Sequence, residues 1–278
     1  MDFIVTILEQ GLIYAILALG VYITYKILDF PDLTVDGSFP LGAAVTAALI
    51  TRGMNPYLTL PVSFLAGVLA GVCTGLIHIM MTALWTVNLY IAGTANVPLF
   101  SRDIIFKNDF LIEIVPESMK SYVTLIIVLI LAVVCKIILD LYMNTKSGYL
   151  LRAVGDNETV VTALAKDQGN VKILGLAIAN GLVSLAGCVF AQEERVFEIS
   201  MGTGAIVIGL ASVIIGTSIF KKISYVKTTT AVIIGSIIYK ACVAVAIRNF
   251  EPQAMKLITA VLFLIILVIS MERKTKVK

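Results

Sequence analysis

Long apolar runs follow one another along the sequence, and these runs predict that the chain crosses a membrane several times. Hydrophobic residues make up 59% of the 278 residues and charged residues only 14%, whereas soluble proteins carry about 25% charged residues. The mean hydropathy is +0.99. Because a helical span needs about 20 mostly apolar residues, the sequence predicts an all-α polytopic membrane protein with a single integral domain over residues 1–278.

The predicted spans form a clear set and a softer set. The clear spans cover residues 122–142, 173–191, 205–220, 228–247 and 255–271, and the softer ones cover 4–25, 40–50 and 58–84. A further apolar segment, 85–100, contains Asn88, Gly93, Asn96 and Pro98. It is either another crossing or a re-entrant loop, so the chain has eight or nine spans.

The distribution of lysine and arginine predicts the orientation of the C-terminal half. Residues 144–172, 221–227 and the tail 271–278 are basic, whereas the intervening loops 192–203 and 248–252 are acidic or balanced. Because basic segments stay in the cytoplasm, residues 144–172, residues 221–227 and the C-terminal tail are expected inside. The N-terminus would lie outside with nine spans and inside with eight.

The segment 144–172, called here the polar island, is the longest helix-capable polar stretch between two predicted spans. Its sequence predicts a short helix over 148–154, capped by Ser147 and ended by Gly155. A second, amphipathic helix is predicted over 158–168 and ended by Gly169, and Asn170 would cap the following span. Two interpretations stay open: a handle gripped by a soluble partner, or an interfacial helix that stabilises a loop.

Three segments, taken in order, carry a resemblance to a known family. They are EQGLIYAILALGVYITYKILDFPDLTVDGSFPLGAAV near the start, RAVGDNETVVTALAKDQGNVKILGLAIANGLVSLAG in the middle, and GTGAIVIGLASVIIGTSIF at 202–220. Together they resemble the permeases of branched-chain amino-acid and ribose-type ABC importers. The phrase DFPDLTVDGSF is most similar to a Gram-positive subgroup of single permeases that work with lipoprotein receptors for amino acids such as tryptophan.

The resemblance implies a transport subunit in a bacterial plasma membrane rather than an enzyme. Members of this family form the membrane-spanning dimer of an importer, as two copies of one chain or as two different chains, with homodimerisation favoured here. Two ATPase subunits dock on the cytosolic face, and an extracytoplasmic lipoprotein delivers a small solute, here an amino acid and possibly an aromatic one. The chain itself has no phosphate-binding Gly-x-x-x-x-Gly-Lys-Ser/Thr loop, so ATP and Mg²⁺ are expected on the partner chain.

Within the polar island, the resemblance places the contact with the ATPase in the coupling loop 144–172. The expected coupling residues are Arg152, Gly155, Asp156, Asn157, Glu158, Leu164, Lys166 and Gly169. They would transmit the ATPase stroke to the spans.

A translocation path is predicted where polar backbone interrupts the apolar runs, because such backbone is tolerated at membrane depth only if it is buried or lines a cavity. The segment 30–40 has proline at both ends and glycine within it, which argues against continuous helix. Its pathway candidates are Asp32, Thr34, Asp36 and Ser38. An ordinary surface loop is the alternative. Asn88 and Asn96 form a second candidate pair, whose amides suit an amino-acid zwitterion.

Other charged and small residues have simpler alternatives. Glu193, Glu194 and Arg195 follow a span on the predicted outer side, where they either dock the receptor or form a solvated loop. Gly67, Gly71 and Gly75 form a smooth helical ridge, which packs within one subunit or between two.

The residues also exclude several function classes. With one histidine, and four cysteines that lack ligand spacing, neither a metal site nor a catalytic triad is expected. The basic loops lack the interleaved aromatics of a nucleic-acid surface. An ion-coupled carrier and a membrane scaffold are the alternatives to an importer; a carrier should hold charge inside its spans, and most of the predicted spans carry none.

Overall fold

The computed structural model describes residues 2–30, 32–77, 81–108, 115–156, 168–221, 223, 225–249, 261 and 264. Its helices are α1 (Asp2–Tyr22), continued by a π-helical turn at Ile23–Ile27, then α2 (Val35–Thr51), α3 (Pro56–Ile77), α4 (Met81–Ala92), α5 (Val123–Met143), α6 (Lys146–Asp156), α7 (Gln168–Glu194), α8 (Ala205–Ile219) and α9 (Thr228–Asn249). A 3₁₀ turn, Glu117–Tyr122, precedes α5. Two short strands, β1 (Asn96–Pro98) and β2 (Val196–Glu198), complete the described elements.

The helices confirm the all-α polytopic architecture. Among the described residues, five apolar segments are long enough to cross a membrane, namely Phe3–Ile27, Pro56–Leu76, Met119–Met143, Gln168–Glu194 and Thr228–Arg248. Val35–Thr51, Ala83–Ala92 and Ala205–Ile219 are shorter apolar helices. The predicted span 58–84 divides into α3 and the start of α4. The predicted final span 255–271 lies outside the described residues, apart from 261 and 264.

Helix α7 is the central element, and α1, α2 and α3 pack around it. The glycine ridge of α3 makes one of these contacts close. A Cβ atom at Gly67 would lie 2.3 Å from the Asn180 carbonyl oxygen, and one at Gly71 would lie 2.4 Å from that of Leu176. The ridge therefore lets two helix backbones touch within one subunit, which is the first of the two interpretations.

The two ends of α7 define two faces of the molecule. The island face carries α6 and the start of α7, and the opposite face carries β1 and β2, which pair antiparallel with Val97 opposite Phe197. Phe197 is fully buried against Ala43, Ala191 and other small residues of α2 and α7. The predicted crossing or loop at 85–100 is thus a helix that ends at Ala92, followed by a strand of this small sheet.

The first helix connects the two faces. The last residue of its π-helical continuation, Ile27, packs against Gly155 in α6 on the island face, so the start of α1 lies towards the opposite face. The N-terminus and the polar island are therefore on opposite sides. This is the arrangement that the nine-span alternative requires when the island is inside.

Several predicted helix boundaries in the polar island were wrong. Helix α6 begins at Lys146, includes Ser147 and passes through Gly155 to Asp156. The side chain at its start is Thr145, whose hydroxyl oxygen accepts a hydrogen bond from the Gly148 amide at 3.2 Å. Gly169 ends no helix and Asn170 caps none, because both lie within the first turn of α7.

Candidate translocation and coupling site

A non-helical break, described at residues 28–30 and 32–34, interrupts the chain between α1 and α2. It follows the π-helical turn, and Asp29 has a left-handed backbone with φ of 51°. The break is shorter than the predicted 30–40, since α2 starts at Val35 and contains Pro40. Asp36 and Ser38 are therefore helical residues. A proline in the second turn of a helix costs the hydrogen bond to the carbonyl four residues earlier, here that of Asp36.

Four polar side chains join this break to the middle of α7. The Asn180 Nδ2 amide donates to Asp32 Oδ2 at 2.7 Å, and the Ser38 hydroxyl donates to Asn180 Oδ1 at 2.6 Å. Thr34 donates both its backbone amide, at 2.9 Å, and its hydroxyl, at 2.6 Å, to Asp32 Oδ1. All four residues are buried. The surface-loop alternative is therefore wrong for Asp32, Thr34 and Ser38.

The network lies at membrane depth, because Asn180 is close to the midpoint of the 27-residue helix α7. A buried carboxylate is tolerated there when hydrogen bonds satisfy its oxygens, and those of Asp32 have three donors. The Asp32 carboxylate also sits at the N-terminus of α2, where it complements the helix dipole. Asn180 was not among the predicted site residues. A lone asparagine within the apolar run 173–191 was the signal that could have found it.

Asp36 holds the start of a different helix. Its Oδ1 accepts from the Ile206 amide at 2.8 Å and its Oδ2 from the Gly204 amide at 3.1 Å, at the N-terminus of α8. Gly202 makes this approach possible, because a Cβ atom there would lie 2.2 Å from the Asp36 carbonyl oxygen. Asp36 is thus a helix cap supplied from another segment of the chain.

We expect Asp36→Asn to lower the free energy of unfolding by about 1–2 kcal/mol, because the amide offers one acceptor where the carboxylate offers two. The measurement is equilibrium unfolding of the purified protein in mixed detergent micelles. Thr51→Val is the control, since the Thr51 hydroxyl donates within its own helix, to Ala47 O at 2.8 Å and to Ala48 O at 3.1 Å. Equal stability of the two variants would contradict the capping role.

Asn88 and Asn96 have different surroundings and do not form the predicted amide pair. Asn88 is fully buried on α4 and donates from Nδ2 to the Gly37 carbonyl of α2 at 2.9 Å. Its Oδ1 is buried and has no hydrogen-bond partner among the residues that the structure describes. Asn96 is exposed in β1, opposite Glu198. Of the two, Asn88 is the one with an unused acceptor inside the protein.

The residues predicted to dock a receptor lie at the face opposite the island. Glu193 and Glu194 form the last turn of α7, and Arg195, with φ of 55°, connects α7 to β2. Arg195 also lines a cavity of about 350 Å³ together with Lys107 and Lys120. This face therefore presents neighbouring acidic and basic groups rather than a single charge sign.

The described part of the polar island, which was predicted to be the coupling loop, packs directly on the break. A Cβ atom at Gly155 would lie 1.7 Å from the Ile27 carbonyl oxygen and 3.2 Å from Leu28 Cα, so these backbones touch. Arg152 and Asp156 lie on the same helix, and Gly169 is the second residue of α7. Asn157, Glu158, Leu164 and Lys166, with most of the predicted second helix, lie outside the described residues.

A charged cluster ties α5 to α9 near the island. Asp140 accepts from Lys136 Nζ at 2.9 Å, from the Thr229 hydroxyl at 2.7 Å and from Lys227 Nζ at 3.4 Å. A cavity of about 220 Å³ beside the cluster is also lined by Arg152. None of these contacts was predicted; those of Asp140 with Lys227 and Thr229 depend on which helices become neighbours, whereas Lys136 lies one turn from Asp140 in the same helix.

Comparison with known proteins places this architecture in a family. The family model described as the permease component of the branched-chain amino acid transport system matches residues 3–270. The chain belongs to this family. It is accordingly a multi-pass membrane permease of the ABC type, and a transport subunit rather than an enzyme. No solved structure matches the chain.

Individual relatives agree with the family. The chain is 41% identical to the tyrosine transport system permease protein of Clostridioides difficile, over 95% of this chain and 90% of that protein. It is 32% identical to an uncharacterized protein of Rickettsia prowazekii, over 95% and 96% of the two chains. The ribose import permease protein RbsC of Haemophilus influenzae is 25% identical, over 77% and 68%. The family resemblance read from the sequence is thus confirmed.

Proposed function

We propose that this permease imports an amino acid, tyrosine or a related aromatic one, in an ATP-driven complex. The printed name of the Clostridioides difficile relative supports the substrate class. The structural observation that supports a motor-driven mechanism is the backbone contact between Gly155, in the coupling loop, and Ile27, at the edge of the break. A force applied to the loop would act there on the start of the break between α1 and α2.

The route of that force is a chain of direct contacts. From Ile27 it reaches residues 28–34, and the Asp32–Asn180 hydrogen bond links these to the middle of α7. Helix α2 begins immediately after the break, and Asp36 links α2 to the start of α8. Displacement of α6 would therefore change how three helices meet at mid-depth. In this proposal, the joint beside the translocation path is formed by Asp32, Thr34, Asp36 and Ser38. Asn88 Oδ1 is a polar group available to the path, and Asn96 lies near the mouth of the path.

The remaining parts of the complex follow from the same assignment. Two ATPase subunits, which bind ATP and Mg²⁺, dock on the coupling loop through Arg152, Gly155, Asp156, Asn157, Glu158, Leu164, Lys166 and Gly169. Two copies of this chain form the membrane unit, with the loop and the C-terminus in the cytoplasm. A substrate-binding lipoprotein docks on the opposite face near Glu193, Glu194 and Arg195.

The test is reconstitution of the permease with a co-purified ATPase and receptor in proteoliposomes. We expect uptake of labelled tyrosine that requires ATP and the receptor and persists without any ion gradient. Uptake by the permease alone, driven by a sodium or proton gradient, would instead establish an ion-coupled carrier. Failure to co-purify with any ATPase, together with no uptake in either format, would leave only a non-transporting scaffold.

A further inference from the structure

The cavity beside the Asp140 cluster lies on the island face, where α1 and α5 end and α9 begins. It has a volume of about 220 Å³, and its lining includes Tyr22 of α1, Asp140 of α5, Arg152 of α6 and Lys227, which precedes α9. It therefore touches four separate parts of the chain. Of these side chains, the proposed function uses only Arg152, so the cavity needs an explanation of its own.

Positive charge exceeds negative charge around this cavity. The Asp140 carboxylate lies 2.9 Å from Lys136 Nζ and 3.4 Å from Lys227 Nζ. Arg152 forms no ion pair with the residues that the structure describes. Three cations therefore meet one carboxylate, which leaves two positive charges without a counter-charge in the described part of the site. Basic pockets between membrane helices are suited to anionic lipid head groups.

The two cations that line the cavity keep hydrogen-bond donors for a ligand. The Lys227 side chain is 65% exposed and uses one of its three ammonium donors on Asp140. The guanidinium of Arg152 has five donors and can hold two oxygens of a phosphate at once. The N-terminus of α9, which begins with Thr228 at the same cavity, adds a partial positive charge. An anion with several acceptor oxygens fits this set of donors.

The cavity lies at the depth of lipid head groups. The apolar segment Met119–Met143 ends with Met143, and the segment Thr228–Arg248 begins with Thr228. Both of these terminal residues line the cavity. Because the ends of apolar spans mark the border between the hydrocarbon core and the head groups, the cavity is level with the phosphates of the lipid. Its volume accommodates a phosphate with part of its glycerol but not the acyl chains.

An apolar surface for acyl chains leads up to the cavity along α5. Four exposed side chains, each one turn from the next, form a row on this helix: Leu129, Val133, Ile137 and Leu141. Asn144, three residues after Leu141, lines the cavity. The row and the cavity therefore lie on one side of α5, with the apolar part in the hydrocarbon and the basic part at its edge.

We propose that this cavity binds the phosphate of an anionic phospholipid, such as phosphatidylglycerol, between Lys227 and Arg152, with its acyl chains against the α5 row. The bound lipid would connect α6 to α5 and α9. Because Arg152 precedes Gly155 by three residues, and Gly155 touches Ile27, the lipid would hold the coupling contact in place. A free phosphate would satisfy the same donors but would leave the α5 row unused. The inference goes beyond the proposed function and does not depend on the substrate.

The experiment titrates the purified permease in detergent and counts bound lipids by native mass spectrometry. The probes are phosphatidylglycerol, and phosphatidylcholine with the same chains, whose head group carries a compensating ammonium. We expect phosphatidylglycerol to bind about tenfold more tightly, and Lys227→Gln to remove most of this preference, because a charge-assisted hydrogen bond is lost. Lys227→Arg should keep the preference. Lys221→Gln is the matched control, since it removes the same charge from the same loop at a described residue outside the cavity lining.

Thermal unfolding distinguishes lost binding from a folding defect. Without lipid, Lys227→Gln should unfold at the same temperature as the unmodified protein, because Lys227 is mostly exposed. Phosphatidylglycerol should raise the unfolding temperature of the unmodified protein and of Lys221→Gln, but not that of Lys227→Gln. An equal rise in all three proteins would contradict the proposal.

Two further results would overturn it. Equal affinity for the two lipids in the unmodified protein would show that the excess charge selects no anionic head group. Displacement of phosphatidylglycerol by millimolar inorganic phosphate would assign the cavity to a free anion instead of a lipid. All of these measurements are made without transport, so the lipid site and the proposed function stand or fail separately.

Discussion

Replacing Asn180 with leucine is expected to lower the free energy of unfolding by about 3 kcal/mol or more, because it leaves Oδ2 of the buried Asp32 carboxylate without its donor. The substitution removes the 2.7 Å bond to Asp32 and the acceptor of the Ser38 hydroxyl. Leucine has the branched shape of asparagine but a larger volume, so it leaves no cavity, and overpacking adds to the cost of the lost hydrogen bonds. Equilibrium unfolding in mixed micelles measures it.

Two further variants make that result specific. Ser184→Ala, one turn further along α7, removes a buried neutral bond to the Ser63 carbonyl at 2.7 Å and should cost about 1 kcal/mol. Asp32→Asn combined with Asn180→Leu removes the charge as well, and should be more stable than Asn180→Leu alone. If Asn180→Leu costs no more than Ser184→Ala, the Asp32 charge is not held by this network.

Gly155→Ala should reduce ATP-driven uptake about tenfold, since overpacking commonly costs 1–3 kcal/mol and 1.4 kcal/mol corresponds to a factor of ten. The new methyl group would lie 1.7 Å from the Ile27 carbonyl oxygen, so α6 must move away from α1. We expect receptor-stimulated ATP hydrolysis to lose its link to uptake. Both rates are measured on the same proteoliposomes.

Gly175→Ala is the matched control for this coupling contact. The same substitution there meets Leu151 and Leu28 at 2.8 Å, through the ends of flexible side chains instead of through backbone. It changes packing among the same segments, yet the neighbours can shift, so uptake should stay near the unmodified level. Equal losses in Gly155→Ala and Gly175→Ala would indicate a general packing defect rather than transmission through Ile27.

The spans and the break were predictable because they depend on local composition. A membrane solvates only apolar side chains, so long apolar runs identify helices such as α5 almost to the residue, with 122–142 predicted and Val123–Met143 found. The position of the break followed from proline and glycine. The length of the break was not predictable, because Pro40 lies inside α2. The hydrogen bond that Pro40 cannot make is the one to the Asp36 carbonyl, and Gly202 packs against that carbonyl instead.

The side-chain contacts of the site could not be predicted, since they join residues more than a hundred positions apart. Asp32 and Asn180 both appear in the sequence as isolated polar residues, and only the packing of α2 on α7 brings them together. The predicted caps in the polar island failed for a different reason: several residues there are adequate caps, and the packing of α6 against α1 selects among them.

Asp36 has a mechanical consequence for the whole permease. It belongs to α2, which proceeds from mid-depth towards the face of β1 and β2, but it accepts hydrogen bonds from the first amides of α8, which proceeds towards the island face. A rotation of α2 about its long axis would move the Asp36 carboxylate and, through its hydrogen bonds, the start of α8. Because α2 and α8 extend in opposite directions from Asp36, a small tilt of one helix about this residue would tilt the other in the opposite sense.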